Sequence, residues 1–248
     1  LKSQFVHICS VMIFKNIIRE IPFLYKFYRK LIFPAFINKD YNINLLRNFS
    51  FEISLDVGAN VGTYTVELQK ISKKVFCFEP INRNVKYLKL LLNNNSKCFN
   101  YALGNKNKKQ YIKIPITNKN KYDYALSSIT NNFDHFKLEK IFVKRLDEVL
   151  CKRQIIKKIE FIKIDVEGFE FFVLRGMKSI IYKSFPIILI EIEKRHNKNY
   201  LKVLNYLWKL GYKTYFTKNG QNLDFLTKKK TKDHIENATL NNFWFIKN

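Results

Sequence analysis

Between residues 51 and 246 the chain alternates short apolar runs of strand length with longer stretches whose apolar residues fall at helical spacing. Repeated strand–helix alternation has one economical solution, a largely parallel sheet covered by helices. Taken in order, the periodicity predicts strands at 51–56, 74–78 and 97–102, with a helix over 82–93. Residues 106–150 form a less regular excursion, with strands at 111–116 and 141–145 and a short helix at 146–150. Regularity returns with a strand at 159–165, a helix over 169–182, a strand at 186–191 and a helix over 199–210 that Gly211 stops. Strands at 212–216 and 242–246 complete the pattern, and no internal repeat is visible.

A length of 248 residues suits one α/β domain with a full core, and 47% hydrophobic with 16% aromatic residues excludes a disordered chain. Residues 50–248 are assigned to that domain and residues 1–49 to an N-terminal basic segment. The chain begins at Leu1, which reads as a fragment, a processed form or an alternative start. The apolar run at 5–14 spans ten residues, about half of the ~20 needed to cross a bilayer, and lacks a small-residue cleavage site. From Pro22 to residue 33, Leu24, Tyr25, Tyr28, Leu31 and Ile32 alternate with Lys26, Arg29 and Lys30. This basic amphipathic helix serves either as a membrane-surface anchor or as a cover over an open face of the domain. Residues 38–49, rich in Asn and Tyr, read as a linker.

Lys and Arg number 45 against 20 Asp and Glu, a formal net charge of +25. Two origins stand side by side: a basic surface for nucleic acid or anionic membrane, or a drift of composition toward Lys, Asn, Ile, Phe and Tyr. The longest basic run, Lys228–Lys230, reads as a solvated loop. Cys9, Cys77, Cys98 and Cys151 form no Cys-x-x-Cys pair and no metal-ligand spacing with His7, His135, His196 or His234. They read as reduced thiols, Cys77 as a small buried hydrophobe, in a cytoplasmic protein with peripheral membrane attachment as the alternative.

Ligands of open α/β sheets bind outside the carboxyl ends of the strands. Four predicted ends are acidic, at Asp56, Glu79, Asp165 and Glu191, in a chain with more than twice as many basic as acidic residues. The first strand runs into Asp56-Val-Gly-Ala-Asn-Val-Gly62, where Gly58 can take dihedrals that side chains forbid and Gly62 lets helix and ligand approach. The spacing lacks the third glycine that brings a dinucleotide's pyrophosphate against the backbone. It suits S-adenosylmethionine, which has an amino acid, a sulfonium, a ribose and a base but no pyrophosphate. Glu79 is placed to accept both ribose hydroxyls, and Asp56 to orient the ligand's ammonium. A negative edge favours such a cation over phosphates.

At this point the motifs resemble those of a known family. Asp56-Val-Gly-Ala-Asn-Val-Gly62, Phe78-Glu-Pro80 with Asn84, Ala102-Leu-Gly104, Leu146-Asp147, Lys163-Ile-Asp-Val-Glu-Gly168, Leu174-Arg-Gly176 and Pro186 leading to Glu191 are similar to the motif series of the FkbM S-adenosylmethionine-dependent methyltransferases. The resemblance runs from about residue 53 to 195. It implies a Rossmann-like class I methyltransferase fold, a mostly parallel seven-stranded sheet with helices on both faces, and O-methylation of a hydroxyl on a glycan, lipid-linked sugar or secondary metabolite. The chain departs from the pattern at Asn105-Lys106, where an Asp commonly follows Ala-Leu-Gly, which loosens the adenine-side loop. The candidate cofactor residues are Asp56, Gly58, Asn60, Gly62 and Thr63 of the turn, with Glu79, Pro80, Ala102 and Asp165.

Methyl transfer to oxygen is an in-line displacement in which the hydroxyl loses a proton, so a base or a metal is needed. Asp165 is the first candidate for contact with donor and acceptor, its alternative role being a helix cap. Glu191, with Glu193 beside it, comes next. His196 has the intrinsic pKa of a general base, or is simply a solvated loop residue. Asp165 and Glu191 could instead hold Mg2+ to acidify the hydroxyl. Residues 106–150 are expected to shape the acceptor pocket. The +25 charge motivates an RNA or N-methyltransferase as alternative, although Asp165-Val-Glu-Gly168 stands where an N-methyltransferase carries Asn/Asp-Pro-Pro-Tyr/Phe. A non-catalytic membrane-surface or nucleic-acid-binding module on the same fold is the other alternative.

Overall fold

The computed structural model describes residues 22–31, 39–117, 121–151 and 153–247. The apolar run at 5–14, with Cys9 and His7, lies outside the described residues.

The principal sheet has the order β10-β9-β11-β8-β7-β1-β2-β3. Its strands are β1 (Phe51–Val57), β2 (Ser72–Phe78), β3 (Ser96–Phe99), β7 (Ile159–Ile164), β8 (Ile187–Glu191), β9 (Lys213–Phe216), β10 (Asp224–Leu226) and β11 (Asn242–Ile246). Pairing is parallel from β3 through β2, β1 and β7 to β8, and antiparallel where β11 meets β8 and β9 and where β10 meets β9. The sheet therefore has eight strands rather than seven, because a hairpin folds the three-residue β10 onto the edge. So short a segment shows no alternation to read. A second sheet, β4-β6-β5, holds β4 (Ala102–Leu103), β5 (Lys108–Pro115) and β6 (Phe136–Lys144). The predicted strand at 97–102 is thus split, its last residue joining the second sheet.

Strand periodicity sorts the side chains of the principal sheet onto two faces. Ile162, Ile164, Ile188, Ile190, Phe243 and Phe245 join one core cluster, while Phe161, Leu189 and Trp244, at the intervening positions, join another. Central strands buried on both sides read as continuous apolar runs for this reason. On β1 the second face is polar: Ser54 bonds Ser72, and Asp56 accepts a hydrogen bond from Thr65 at 2.5 Å.

Helix α1 (Pro22–Leu31) buries Tyr25 and Arg29, with the Tyr25 ring 4.9 Å from that of Tyr87 in α4 (Asn82–Lys89). Of the two roles open to an amphipathic helix, the described residues show packing. The linker at 38–49 contains α2 (Tyr41–Leu46), whose amides at Asn42 and Ile43 are capped by Asp40 and whose Ile43, Leu45 and Leu46 are buried. Helix α3 (Thr63–Ile71) follows the glycine turn. The short α5 (Leu146–Val149) and α6 (Arg153–Ile156) lead into β7. The helix predicted over 169–182 is two, α7 (Glu170–Gly176) and α8 (Lys178–Ser184), broken at Met177. Asp147 of α5 accepts from the amides of Ser179 and Ile180, so a distant side chain caps α8 at the break. Helix α9 (Tyr200–Lys209) covers the sheet, and Lys228–Lys230, read as a loop, opens α10 (Lys228–Glu236). Thr227 caps α10, while Thr231 and Ile235, one turn apart, are buried.

Helix α7 meets the second sheet at glycines. A Cβ on Gly176 would stand 1.9 Å from the Gly104 carbonyl oxygen, so α7 touches the end of β4 backbone to backbone. Alanine is the better helix former by about 1 kcal/mol, yet Gly176→Ala is expected to destabilise the protein by about 1–3 kcal/mol through overpacking. Urea denaturation checks this, and a gain in stability would contradict so close an approach.

Candidate active site

A cavity of about 250 Å³ opens at the carboxyl ends of β1, β2, β7 and β8. Gly58 and Asn60 border it after β1, Glu79, Pro80 and Ile81 after β2, Asp165, Val166 and Glu167 after β7, and Glu191 at the end of β8. Ala102 and Leu103 of β4 and Ile112 of β5 close one side, and Tyr124 to Ser127 with Ile129 come from the 116–135 excursion.

The glycine turn is built for close approach. Gly58 has φ +83, and a Cβ there would lie 1.7 Å from the Asp165 carbonyl oxygen. Its amide and that of Ala59 both donate to the Phe78 carbonyl, tying β1 to β2. Asn60, also left-handed at φ 49, donates its amide to Glu79 Oε2 at 2.9 Å. Glu79 Oε1 accepts from the Ile81 amide at 2.9 Å and Asn84 Nδ2 at 3.4 Å. Burial pushes the Glu79 carboxyl up to about 7 against these hydrogen bonds.

At the opposite end of the cavity, Asp165 and Glu191 stand over the ammonium of Lys163, which is 1% exposed. Its Nζ lies 3.7 Å from Asp165 Oδ2 and 3.8 Å from Glu191 Oε2, donates to Asn242 Oδ1 at 3.1 Å and sits 5.0 Å from the centre of the Tyr64 ring. Burial opposes the charge on Lys163, but Asp165, Glu191, Asp56 and Asp40 outweigh it and raise its pKa. Glu191 is pushed up to about 7, first by burial and then by Asp165 beside it. Among the described residues no group of three or more His, Cys, Asp or Glu side chains is arranged to hold a metal ion. Lys163 already supplies the positive charge between Asp165 and Glu191, so this donor set does not fit Mg2+.

Asp165, Glu191, Gly58, Asn60, Glu79, Pro80 and Ala102 all border the cavity, whereas Asp56, Gly62, Thr63 and His196 do not. Asp56 alternates with Val57 on β1 and so points to the α3 face, 2% exposed and bonded to Thr65. Gly62 is a packing position at φ +87, where a Cβ would come 2.6 Å from Leu88 Cδ1 of α4. His196 sits behind Glu167, with Nδ1 3.0 Å from Asn131 Nδ2 and 3.8 Å from Glu167 Oε2. Burial, then Arg195, lower its pKa, which favours the neutral ring.

Lys163 and Glu167 are residues that sequence reasoning passed over. A lysine flanked by Ile162 and Ile164 in a central strand is the available signal for Lys163. Glu167 has φ 50, and its carbonyl accepts from Ser128 Oγ at 2.5 Å and Asn131 Nδ2 at 3.3 Å. That strained turn brings the excursion across the cavity. Burial and the carboxylates around it push the Glu167 carboxyl up to about 8. Behind it Glu170, also held up to about 7 by burial, accepts from the Gly168 amide and from Asn197.

The methyltransferase FkbM domain matches residues 56–214. The chain belongs to the FkbM methyltransferase family. The match begins at Asp56 and takes in the whole cavity wall. Among solved structures, the methyltransferase FkbM from Methylobacillus flagellatus KT superposes with a TM-score of 0.50 at 16% identity, covering 79% of this chain. The chain spans only 43% of that protein's length. The precorrin-6y C5,15-methyltransferase from Geobacter metallireducens GS-15 gives a TM-score of 0.42 at 11% identity, covering 83% of this chain and 85% of that one. At 16% identity the likeness to the Methylobacillus flagellatus protein is one of fold. No curated protein matches the sequence.

The raised carboxyls set a pH dependence. Glu79, Glu167, Glu170 and Glu191 rise from 4.5, and Asp56 rises from 3.8 to about 6. The folded protein therefore binds more protons than the unfolded chain between about pH 4 and 8, and its stability falls as pH rises through that window. Thermal midpoints are expected to drop from pH 5.5 to pH 8. Lys163→Met, which leaves its carboxylates uncompensated, is expected to cost about 3–5 kcal/mol at pH 8 and less at pH 5.5. An equal loss at both values would contradict the charge balance described.

Proposed function

We propose that this chain is an S-adenosylmethionine-dependent O-methyltransferase whose acceptor is a hydroxyl on a glycan, lipid-linked sugar or secondary metabolite. One observation carries the reading. In a chain of net charge +25, no Lys, Arg or His among the described residues borders the cavity, while Glu79, Asp165, Glu167 and Glu191 do. Such a wall suits a ligand with a sulfonium and an ammonium and opposes one with phosphates.

Bound S-adenosylmethionine would supply an electrophilic methyl group. Glu79, held by the Asn60 and Ile81 amides, keeps outward lone pairs for the ribose hydroxyls. Phe78, Ile81 and Leu103 offer an apolar wall to the base. Asp165 and Glu191 face the ligand's positive end, with Lys163 beneath them limiting their mutual repulsion. The acceptor hydroxyl would lose its proton to a carboxylate as its oxygen bonds the methyl carbon and the methyl–sulfur bond breaks, the electron pair staying on sulfur so that a neutral thioether leaves. Glu167 and Glu191, held up to about 8 and 7, have the proton affinity for that task. His196 would act through Glu167, as a positioning residue.

Calorimetry with S-adenosylmethionine tests the reading: saturable binding is expected, and no heat from a folded sample at high micromolar ligand would sink it. Affinity is expected to rise from pH 6 to 8, because the cation displaces protons from the raised carboxyls, with proton release seen in buffers of different ionisation enthalpy. Glu79→Gln is expected to weaken binding by roughly ten- to a hundredfold, the range for a charged hydrogen bond.

A further inference from the structure

The second sheet has an outer face with no part in the cavity. Its inner residues Ile112, Ile114, Ile141 and Val143 join the main core. Strand alternation then turns Lys109, Tyr111 and Lys113 of β5 outward, opposite Phe142, Lys140 and Leu138 of β6. Lys144 and Phe136 continue the same row of β6 at its two ends. Tyr111 is 55% exposed, Leu138 50%, Phe142 52% and Phe136 38%. Among the described residues of the two strands, no acid has the outward parity. Glu139, the one acidic residue in the two strands, has the inward parity and accepts from the Asn82 amide at the start of α4.

Lone exposed apolar residues need no explanation, but four on one sheet face, interleaved with lysines, do. We propose that this face docks on an anionic lipid bilayer. Lysine stems lie along apolar surface while their ammonium groups reach phosphate, which matches the boundary between headgroups and acyl chains. Single-stranded nucleic acid needs open ring faces for base stacking. Here two of the three rings are already engaged by the protein's own lysines: Lys109 Nζ lies 5.8 Å from the Phe142 ring centre and Lys113 Nζ 5.5 Å from that of Phe136. Leu138, in the middle of the face, offers hydrocarbon only.

The docking face is tied to the cavity. Lys113 and Ser128 exchange backbone hydrogen bonds, and Ser128 anchors the Glu167 carbonyl. The excursion that forms the roof is therefore bonded to the docking sheet, so a docked protein holds its cavity near the headgroup layer. Resting on the proposed function, this narrows the acceptor class to a hydroxyl on a lipid headgroup or lipid-linked sugar.

The test is cosedimentation of the full chain with phosphatidylcholine vesicles, with and without phosphatidylglycerol, alongside binding to an oligouridylate. Tight binding to the anionic vesicles is expected. It should weaken by roughly tenfold or more in Lys109→Gln/Lys113→Gln/Lys140→Gln and also in Leu138→Ser/Phe142→Ser, with thermal midpoints near that of the parent. Binding unchanged by either variant, or no preference for anionic vesicles, overturns the proposal. Tighter binding to the oligonucleotide that the same substitutions abolish overturns it in favour of nucleic acid. Calorimetry with S-adenosylmethionine, run on the same samples, tests the methyltransferase reading separately, since none of these residues touches the cavity.

Discussion

The buried ammonium of Lys163 holds the acidic edge of this sheet together. Asp56, Asp165 and Glu191 come from three adjacent parallel strands and end up beside one another because parallel pairing aligns the strand ends. Without a cation between them, desolvation and mutual repulsion would oppose the close packing of β1, β7 and β8. Lys163 is directly opposite Asp56 in the β1–β7 register and lies beneath Asp165 and Glu191. One side chain therefore serves both the stability of the sheet and the electrostatics of the cavity. The site stays acidic because its balancing charge is beneath it, out of the ligand's way.

The cavity is completed by an element outside the principal sheet. Glu167 and Gly168, both left-handed, turn the chain sharply between β7 and α7. This exposes the Glu167 carbonyl to Ser128 and Asn131 and passes Gly168 beneath the backbone at His196, where a Cβ would lie 2.2 Å from the carbonyl oxygen. Three segments distant in sequence meet at this turn. The roof is thereby fixed to the acidic wall of the cavity and, through β5, to the outer basic face.

Much of the fold was legible because helices and strands have their own apolar periods. β1, β2, β7 and β8 stand close to where their apolar runs place them, and the acids at their ends were visible as strand termini. The misreadings have local causes. Asp56, expected at the ligand, stands opposite Lys163 in the β1–β7 register, one step further back from the strand ends than Asp165 and Glu191, and is bonded to Thr65 of α3. The 169–182 helix breaks because Asp147, from another element, caps the second half. α2 and α10 were hidden by Asn-rich and Lys-rich composition, in which few apolar residues mark a buried face.

By itself the sequence determined the layered α/β fold, the family and the acidic strand ends, since each is written in local patterns of a few adjacent residues. Only the tertiary structure decided which acids face the cavity, that the Lys163 ammonium lies between Asp165 and Glu191, and that Glu167 joins them. It also decided that an irregular excursion becomes both a roof and a basic outer face. Those outcomes depend on strand register and on contacts between segments far apart in the chain, and no local periodicity encodes them.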